Sequence, residues 1–425
     1  MMKRSILLFV LFFSFSFMQD RSVIITGTCL LEGESNHSDV AVFFQAISGS
    51  AEENTFYTDE NGAFVAGLPE GIYVVTYSKD GFVPQTLPGE INFFSDIELE
   101  PLTLLSGSVM EVSGTLDGNQ HWTSNFQYRV TDDLTLSSGD TLTIDPGVDV
   151  LFMGEYEFFV KGAFYANGAE GDSIRFSSGQ PTKNSGDWKG LYFQNADSSS
   201  FLNYTVVEYG GSIAYDEYQA NIKADGSTLL INNSHIHASN NTGIYSNEYS
   251  QLILNNSFIH NNDGYGVYIR SHSTADIVGN DIHDHNNDGV LIDNVSTADI
   301  VGNDIHDNNS GVYIHGNSTA DINGNDIHNN SYGVHFYHST ADIVGNDIHN
   351  SNYGVYAYGS TADINGNDIH DNNYLGVYAY GSTVDINGND INDCDVGVQI
   401  EYYSTVDING NDIHDNNSFG VYIYN

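Results

Sequence analysis

The feature that most constrains this chain is a near-literal repeat. From Ser273 onward the unit Ser-Thr-Ala-Asp-Ile-x-Gly-Asn-Asp-Ile-His-Asp-Asn-Asn-x-Gly-Val-Tyr recurs. It starts at Ser273, Ser296, Ser318, Ser339, Ser360, Ser382 and Ser404, in steps of 21 to 23 residues. Weaker units start at Ser227 and Ser250. A unit this short cannot bury an apolar face alone, so it has to stack on copies of itself. It carries no helical spacing. It lacks the Leu-x-x-Leu-x-Leu of leucine-rich repeats and is too long for the hexapeptides of left-handed solenoids. What fits is three short strands per coil, separated by Gly and Asn turns, wound into a parallel β-helix.

Period-two alternation assigns the faces of each strand. In the unit from Ser318, Ala320, Ile322, Asn325, Ile327 and Val334 are expected to point inward. Thr319, Asp321, Asp326 and His328 are expected to point outward. Equivalent residues then form ladders at the strand spacing of about 4.8 Å. The inward Asn280, Asn303, Asn325, Asn346, Asn367, Asn389 and Asn411 are expected to chain their side-chain amides from coil to coil, since a buried amide needs partners.

Upstream, the stretches TLTIDPGVDVLFMGEYEFFVKGAFYANGAEGDSIRFSS and GDWKGLYFQNADSSSFLNYTVVEYGG resemble the first coils of bacterial right-handed β-helix proteins. The resemblance, to the superfamily of pectate-lyase-like and NosD-like repeats, covers about 105–425. Residues 105–226 then form irregular first coils and 227–425 the regular ones. Before them, 21–103 alternate apolar and polar positions, with strands expected at 23–28, 41–46, 62–65 and 72–78. Asn61-Gly62 supplies hairpin chemistry, and the order of strands reads as a small antiparallel sandwich. The stretch TDENGAFVAGLPEGIYVVTYSKDGF resembles the carboxypeptidase regulatory-like domain. That resemblance implies a transthyretin-like β-sandwich without catalytic residues. The expected fold is therefore all-β: this sandwich, followed by a right-handed parallel β-helix.

Lys3 and Arg4 followed by the apolar run 5–17 read as a signal peptide over 1–20. The run is too short for a membrane span, so the expected location is secreted or cell-surface, with the periplasm as the variant. The chain has 56 acidic residues against 11 Lys and Arg, for a net charge of −45. That balance repels nucleic acid and argues against it as a partner. Two cysteines, Cys29 and Cys394, make no disulfide framework and are expected to be small buried residues. The sequence stops at Asn425 just after a third strand. The expectation is that the chain continues, or that the open coil stacks end to end on a partner.

Several columns carry candidate chemistry. Asp276, Asp299, Asp321, Asp342, Asp363, Asp385 and Asp407 form an acidic column in a region, 273–425, with no Lys or Arg. Stacked carboxylates repel by roughly 1 kcal/mol per pair even in a water-like dielectric. Ca²⁺ is the cofactor such oxygen ligands would take, and a solvated acidic face is the plain alternative. His237, His260, His283, His306, His328, His349, His370 and His414 form a second column, interrupted at Asn392, with the spacing to hold a transition metal between coils. Tyr313, Tyr356, Tyr378 and Tyr422 form one tyrosine column, with Tyr337, Tyr358 and Tyr380 beside it. These are the residues expected to bind a glycan or a partner protein, against simple cross-strand packing. For catalysis the place to look is where the repeat breaks, around 211–226: the candidates there are Asp216 and Glu217, with Glu208 in a neighbouring coil.

The expected function is non-catalytic: an exported β-helix presenting a repetitive acidic and Tyr-rich surface to a glycan, a cell surface or a protein. A carbohydrate-active enzyme (polysaccharide hydrolase, lyase or epimerase) is the first alternative. A NosD-like metal-handling protein is the second. Near-identical coils do not supply the asymmetric cluster that hydrolysis needs.

Overall fold

The computed structural model describes residues 22–49, 53–79, 81–212 and 219–424. The expected signal peptide, Asp216 and Glu217 lie outside the described residues. The chain divides into two compact units, one ending at Ser106 and the other beginning at Gly107.

The first unit is built of small sheets. Ser22–Leu31 pairs antiparallel with Ala63–Pro69, and Ala41–Gly49 pairs antiparallel with Asn54–Tyr57 and Gly71–Ser78. Strict alternation along Ser22–Leu31 buries Val23, Ile25, Cys29 and Leu31, against Phe44, Phe64, Tyr73 and Tyr77. Two details depart from the expected antiparallel sandwich. Ser22–Leu31 also pairs in parallel with Ile97–Glu98 and Leu102–Leu104. The turn at Asn61-Gly62 is not a hairpin, because the strands on either side of it belong to different sheets. It is a corner, held by Asp59 Oδ1, which accepts from Asn61 N at 2.9 Å and Ala63 N at 3.0 Å. Gly62 has φ of 79°, and a Cβ there would lie 2.3 Å from the carbonyl oxygen of Cys29. Only glycine fits both demands.

The second unit is a parallel β-helix with three strands per coil. First strands stack as a separate sheet of 13, from Gln120–Trp122 to Thr405–Asn409. Second strands (Asp281–His283 and its equivalents) and third strands (Ser310–His315 and its equivalents) are joined through the long strand Phe126–Leu136. The repeat registers in full: Thr297, Ala298, Asp299 and Ile300 pair with Thr319, Ala320, Asp321 and Ile322. The expected inward set, Ala320, Ile322, Asn325, Ile327 and Val334, is buried. The asparagine ladder takes the form the residue type demands. Asn303 Nδ2 donates to Asn325 Oδ1 of the next coil and to the carbonyl of Ile277, both at 2.9 Å. Its backbone N–H donates to the same Oδ1 at 2.9 Å. Every polar atom of the buried amide is thus used, and the pattern recurs from Asn280 to Asn389. Cys29 and Cys394 are buried free thiols, each pushed by burial to a pKa of about 11.

Candidate functional site

The repeat places a different chemistry on each outer face. On the first sheet the column Asp276 to Asp407 stands in register, one carboxylate per coil, between a Thr column and a Val or Asn column. Burial, and then the charges of Asp321 and Asp363, push Asp342 above the usual carboxylate range. No basic side chain stands in this column.

On the second sheet the histidines stack. Ring centroids from His237 to His370 follow one another at 4.7 to 5.3 Å, with planes within 11° of parallel. The rings of His283, His306, His349 and His370 are held on both sides. His306 Nδ1 bonds Asp307 Oδ2 at 2.7 Å, and its Nε2 lies 3.3 Å from Asp281 Oδ1 of the preceding coil. Asp307 can reach its neighbour because it turns the chain in the left-handed region, at φ of 55°, which Asp and Asn tolerate better than most residues. Burial pushes His306 down, but Asp307, Asp304 and Asp281 together raise it above the ordinary imidazole value. Among the described residues, the groups of three or more metal-ligating side chains that converge all lie on this face, and none includes the column from Asp276 to Asp407.

At the N-terminal end the histidine column runs into Glu208, which pairs in register with His237. Glu208 is buried and collects four partners. Arg175 Nη1 donates to it at 2.9 Å and Ser177 Oγ at 2.8 Å, with Lys183 Nζ at 3.6 Å and His237 Nε2 at 3.2 Å. Burial pushes its pKa up, yet His237, Arg175, Ser177 and Lys183 outweigh it and hold the group down at about 2. A carboxylate so fixed is an anchor for charge, not a proton donor at neutral pH. Trp188 lies in the core, stacked 3.9 Å from Phe152, and donates Nε1–H to the Glu208 carbonyl.

On the third sheet the two tyrosine columns are real. Tyr356 pairs with Tyr378, and Tyr337, Tyr358 and Tyr380 follow in register, with Tyr313 and Tyr422 in the first column. The rings of the second column stack on one another, 5.1 Å from Tyr337 to Tyr358 and 4.7 Å from Tyr358 to Tyr380. Their faces are therefore covered, and their edges and hydroxyls look outward. Toward the N-terminus the same columns become Tyr192, Lys223, Tyr245 and Tyr268 beside Asp225 and Asn247. All of these but Tyr268 border a cavity of about 370 Å³ that also takes in Arg270 and Glu248. The repeat alone gave no signal for this cavity. The signal was the interruption of the tyrosine columns by Lys223 and Arg270. Tyr192 Oη donates to Asp225 Oδ2 at 2.6 Å, and Asn247 Nδ2 donates to Asp225 Oδ1 at 3.1 Å. Lys223 Nζ lies 3.8 Å from Asp225 and 4.6 Å over the Tyr192 ring. Arg270 faces Asp293 at 3.6 Å.

Fold and faces together define a parallel β-helix protein with a repeated outer surface and a polar cavity set into it. The chain belongs to the right-handed β-helix family, whose model, described as the right handed beta helix region, matches residues 189–348 and 332–425. Among solved structures, a double mutant of the periplasmic alginate epimerase AlgG superposes with a TM-score of 0.50 at 16% identity, over 71% of this chain and 77% of that one. The A-module of the mannuronan C-5 epimerase AlgE4 from Azotobacter vinelandii gives 0.46 at 14% identity, over 72% and 89%. At such identities the likeness is one of fold. No curated protein matches the sequence. Among the described residues no helix is long and apolar enough to cross a membrane.

Proposed function

We propose that this is an exported glycan-binding β-helix, and that a neutral polysaccharide is held on the third sheet with its anchor in the Tyr192–Lys223–Tyr245 cavity. One observation carries the reading: the two cations of the cavity, Lys223 and Arg270, are already matched by carboxylates. Lys223 stands against Asp225 and Arg270 against Asp293. What the cavity offers a ligand is a network of hydroxyl, amide and carboxylate groups between aromatic walls, the lining that recognises sugar hydroxyls. A polyanion would have to displace those carboxylates and approach a chain of net charge −45. The column from Tyr337 to Tyr380 extends the same face as a row of phenol edges. Export is inferred from Lys3, Arg4 and the apolar run behind them.

A second reading has a specific observation behind it. Tyr192, Asp225 and Lys223 bring a phenol, a carboxylate and an ammonium together, a set suited to moving a proton on a sugar, and the fold is shared with AlgG, an alginate epimerase by name. Affinity electrophoresis through neutral glucans, mannans and galactans, and through alginate, tests both readings, with products followed in parallel. Retardation by a neutral polymer, lost in Asn247→Ala and Tyr245→Ala, is the expected result. No retardation by any neutral polymer overturns the first reading. Epimerised or unsaturated uronate replaces it with the second.

A further inference from the structure

We propose that the outer face of the second sheet binds divalent transition-metal ions through imidazole Nε2 and carboxylate oxygens of successive coils, with its principal seat at Asp281, His283 and His306. This face is separate from the glycan surface, and the inference does not depend on that reading.

Three atoms converge there. Asp281 Oδ1 lies 3.7 Å from His283 Nε2 and 3.3 Å from His306 Nε2. Ligands at 2.0–2.1 Å from a tetrahedral ion stand about 3.3 Å apart, so little movement would close the set on an ion. Asp281 Oδ1 is shielded from solvent and accepts no hydrogen bond. A buried acceptor left in that state is costly and calls for an electrophile. The second observation concerns the far side of both rings. His283 Nδ1 bonds Asp284 Oδ2 at 2.8 Å and His306 Nδ1 bonds Asp307 Oδ2 at 2.7 Å. A carboxylate on one ring nitrogen fixes the ring and makes the other nitrogen the ligand, the arrangement that supports histidine–metal bonds.

The neighbouring coils repeat the device. Asp304 groups with His306 and His328, Asp326 and Asp347 with His349, and Asp347 and Asp368 with His370. His306 offers one Nε2 and serves one ion, so the first two of the four sets exclude each other. Asp347 can bridge, so the last two do not. At most three ions are held at once. Residues 273–425 contain no Lys or Arg to compete for these carboxylates. Two imidazoles with one carboxylate select a transition ion over Ca²⁺, which takes oxygen ligands.

The test is equilibrium dialysis of the full chain against ZnCl₂, with metal counted by mass spectrometry, and titration with CoCl₂ read by its ligand-field spectrum. The expected result is two or three ions with nitrogen in the cobalt coordination sphere. Asp281→Asn and His306→Gln should each weaken the tightest site roughly 10- to 100-fold, the usual range for a lost ligand or its support. His414→Gln, outside all four sets, should leave uptake unchanged. Circular dichroism checks each variant for folding. If His306→Gln unfolds, the isosteric Asp281→Asn decides. No uptake at 100 µM metal, a cobalt spectrum of oxygen ligands only, or a tightest site as strong in Asp281→Asn as in the unaltered chain would each overturn the proposal.

Discussion

At the scale of single residues, the informative positions are those where a ladder changes its residue. Beside the asparagine ladder that the repeat predicts, a second buried polar column runs through Asn262, His285, Asn308, Asn330, Ser351, Asn372, Cys394 and Asn416. Each side chain takes the backbone N–H of the coil before it or caps a carbonyl. His285 Nδ1 accepts from Asn262 N at 3.3 Å, and its Nε2 bonds the Ile259 carbonyl at 3.1 Å. One nitrogen accepts and the other donates, so the ring must stay neutral, and burial pushes its pKa down to about 4. The unfolded chain binds a proton near 6.5 that the folded chain refuses. Stability from this site is therefore complete above pH 6.5 and lost as the pH falls toward 4, by roughly 3 kcal/mol in all. His285→Asn restores the neighbours' residue, and the difference in melting temperature between variant and parent should grow as the pH is lowered from 7 to 4. A difference constant with pH would refute the assignment. Glu208 has the same dependence at lower pH. Its depressed pKa adds stability above about 4.5 that disappears toward 2, and Glu208→Gln should cost roughly 2 kcal/mol at pH 7, after allowing for the solvent that reaches Arg175 and Lys183. Denaturant melts of that variant at pH 7 and pH 3 measure it, and equal losses at both would refute it. The first ladder was legible in the sequence because its residue never varies. The second was not, because Asn, His, Ser and Cys share only a size and a capacity for hydrogen bonding.

At the scale of strands, alternation was enough to say which residues face inward, and the length of the unit was enough to exclude other solenoids. It was not enough to say how side chains on one face use each other. Tyr337, Tyr358 and Tyr380 were legible as an exposed column, but a ring repeated every 4.8 Å or so stacks on its copies. The faces a sugar would need are then hidden, and the sharper binding feature falls on the irregular strands near Lys223. Close approach also explains a glycine that alternation passes over. Gly333 is the second residue of the third strand Tyr332–Tyr337, and a Cβ there would lie 2.6 Å from the Gly354 carbonyl oxygen and 2.7 Å from Ile348 Cγ2 of the next coil. Gly333→Ala should cost roughly 3 kcal/mol, as overpacking does when backbone is the obstacle. Gly324, at φ of 61° with open space around it, should lose only about 1 kcal/mol on the same change, from backbone strain alone. Urea unfolding of the two variants side by side checks the ranking, and the opposite order would show that the coil spacing there is slack.

For the second unit as a whole, stability should be close to a sum over neighbouring coils, and this can be tested without touching the cavity at Tyr192, Lys223 and Tyr245. Excising 318–338 joins Asn317 to Ser339 and removes one complete coil. Ser318 and Ser339 occupy equivalent places on successive rungs: Ser296 N donates to Ser318 Oγ at 3.2 Å, and Ser318 N to Ser339 Oγ at 3.3 Å. After excision Ser296 can donate to Ser339 Oγ, Asn303 to Asn346 Oδ1, and the strand Thr297–Val301 can pair with Thr340–Val344, since these residues are like for like. The shortened chain should fold cooperatively and melt within a few degrees of the parent, because one interface is lost and none is mismatched. Excising only 318–328 removes half a coil, sets a first strand against a third, and exposes Ile and Ala to solvent. That chain should not give a cooperative melt by circular dichroism. The cavity bordered by Tyr192, Lys223 and Tyr245 lies upstream of the cut and should keep its affinity for a neutral glycan, while Asp347 and His349 come to stand beside Asp304 and His306 and replace the metal sets through Asp326 and His328. A full-coil deletion that unfolds would mean that the coils are not interchangeable. One that folds but loses the glycan would move the binding surface from the cavity to the long tyrosine columns.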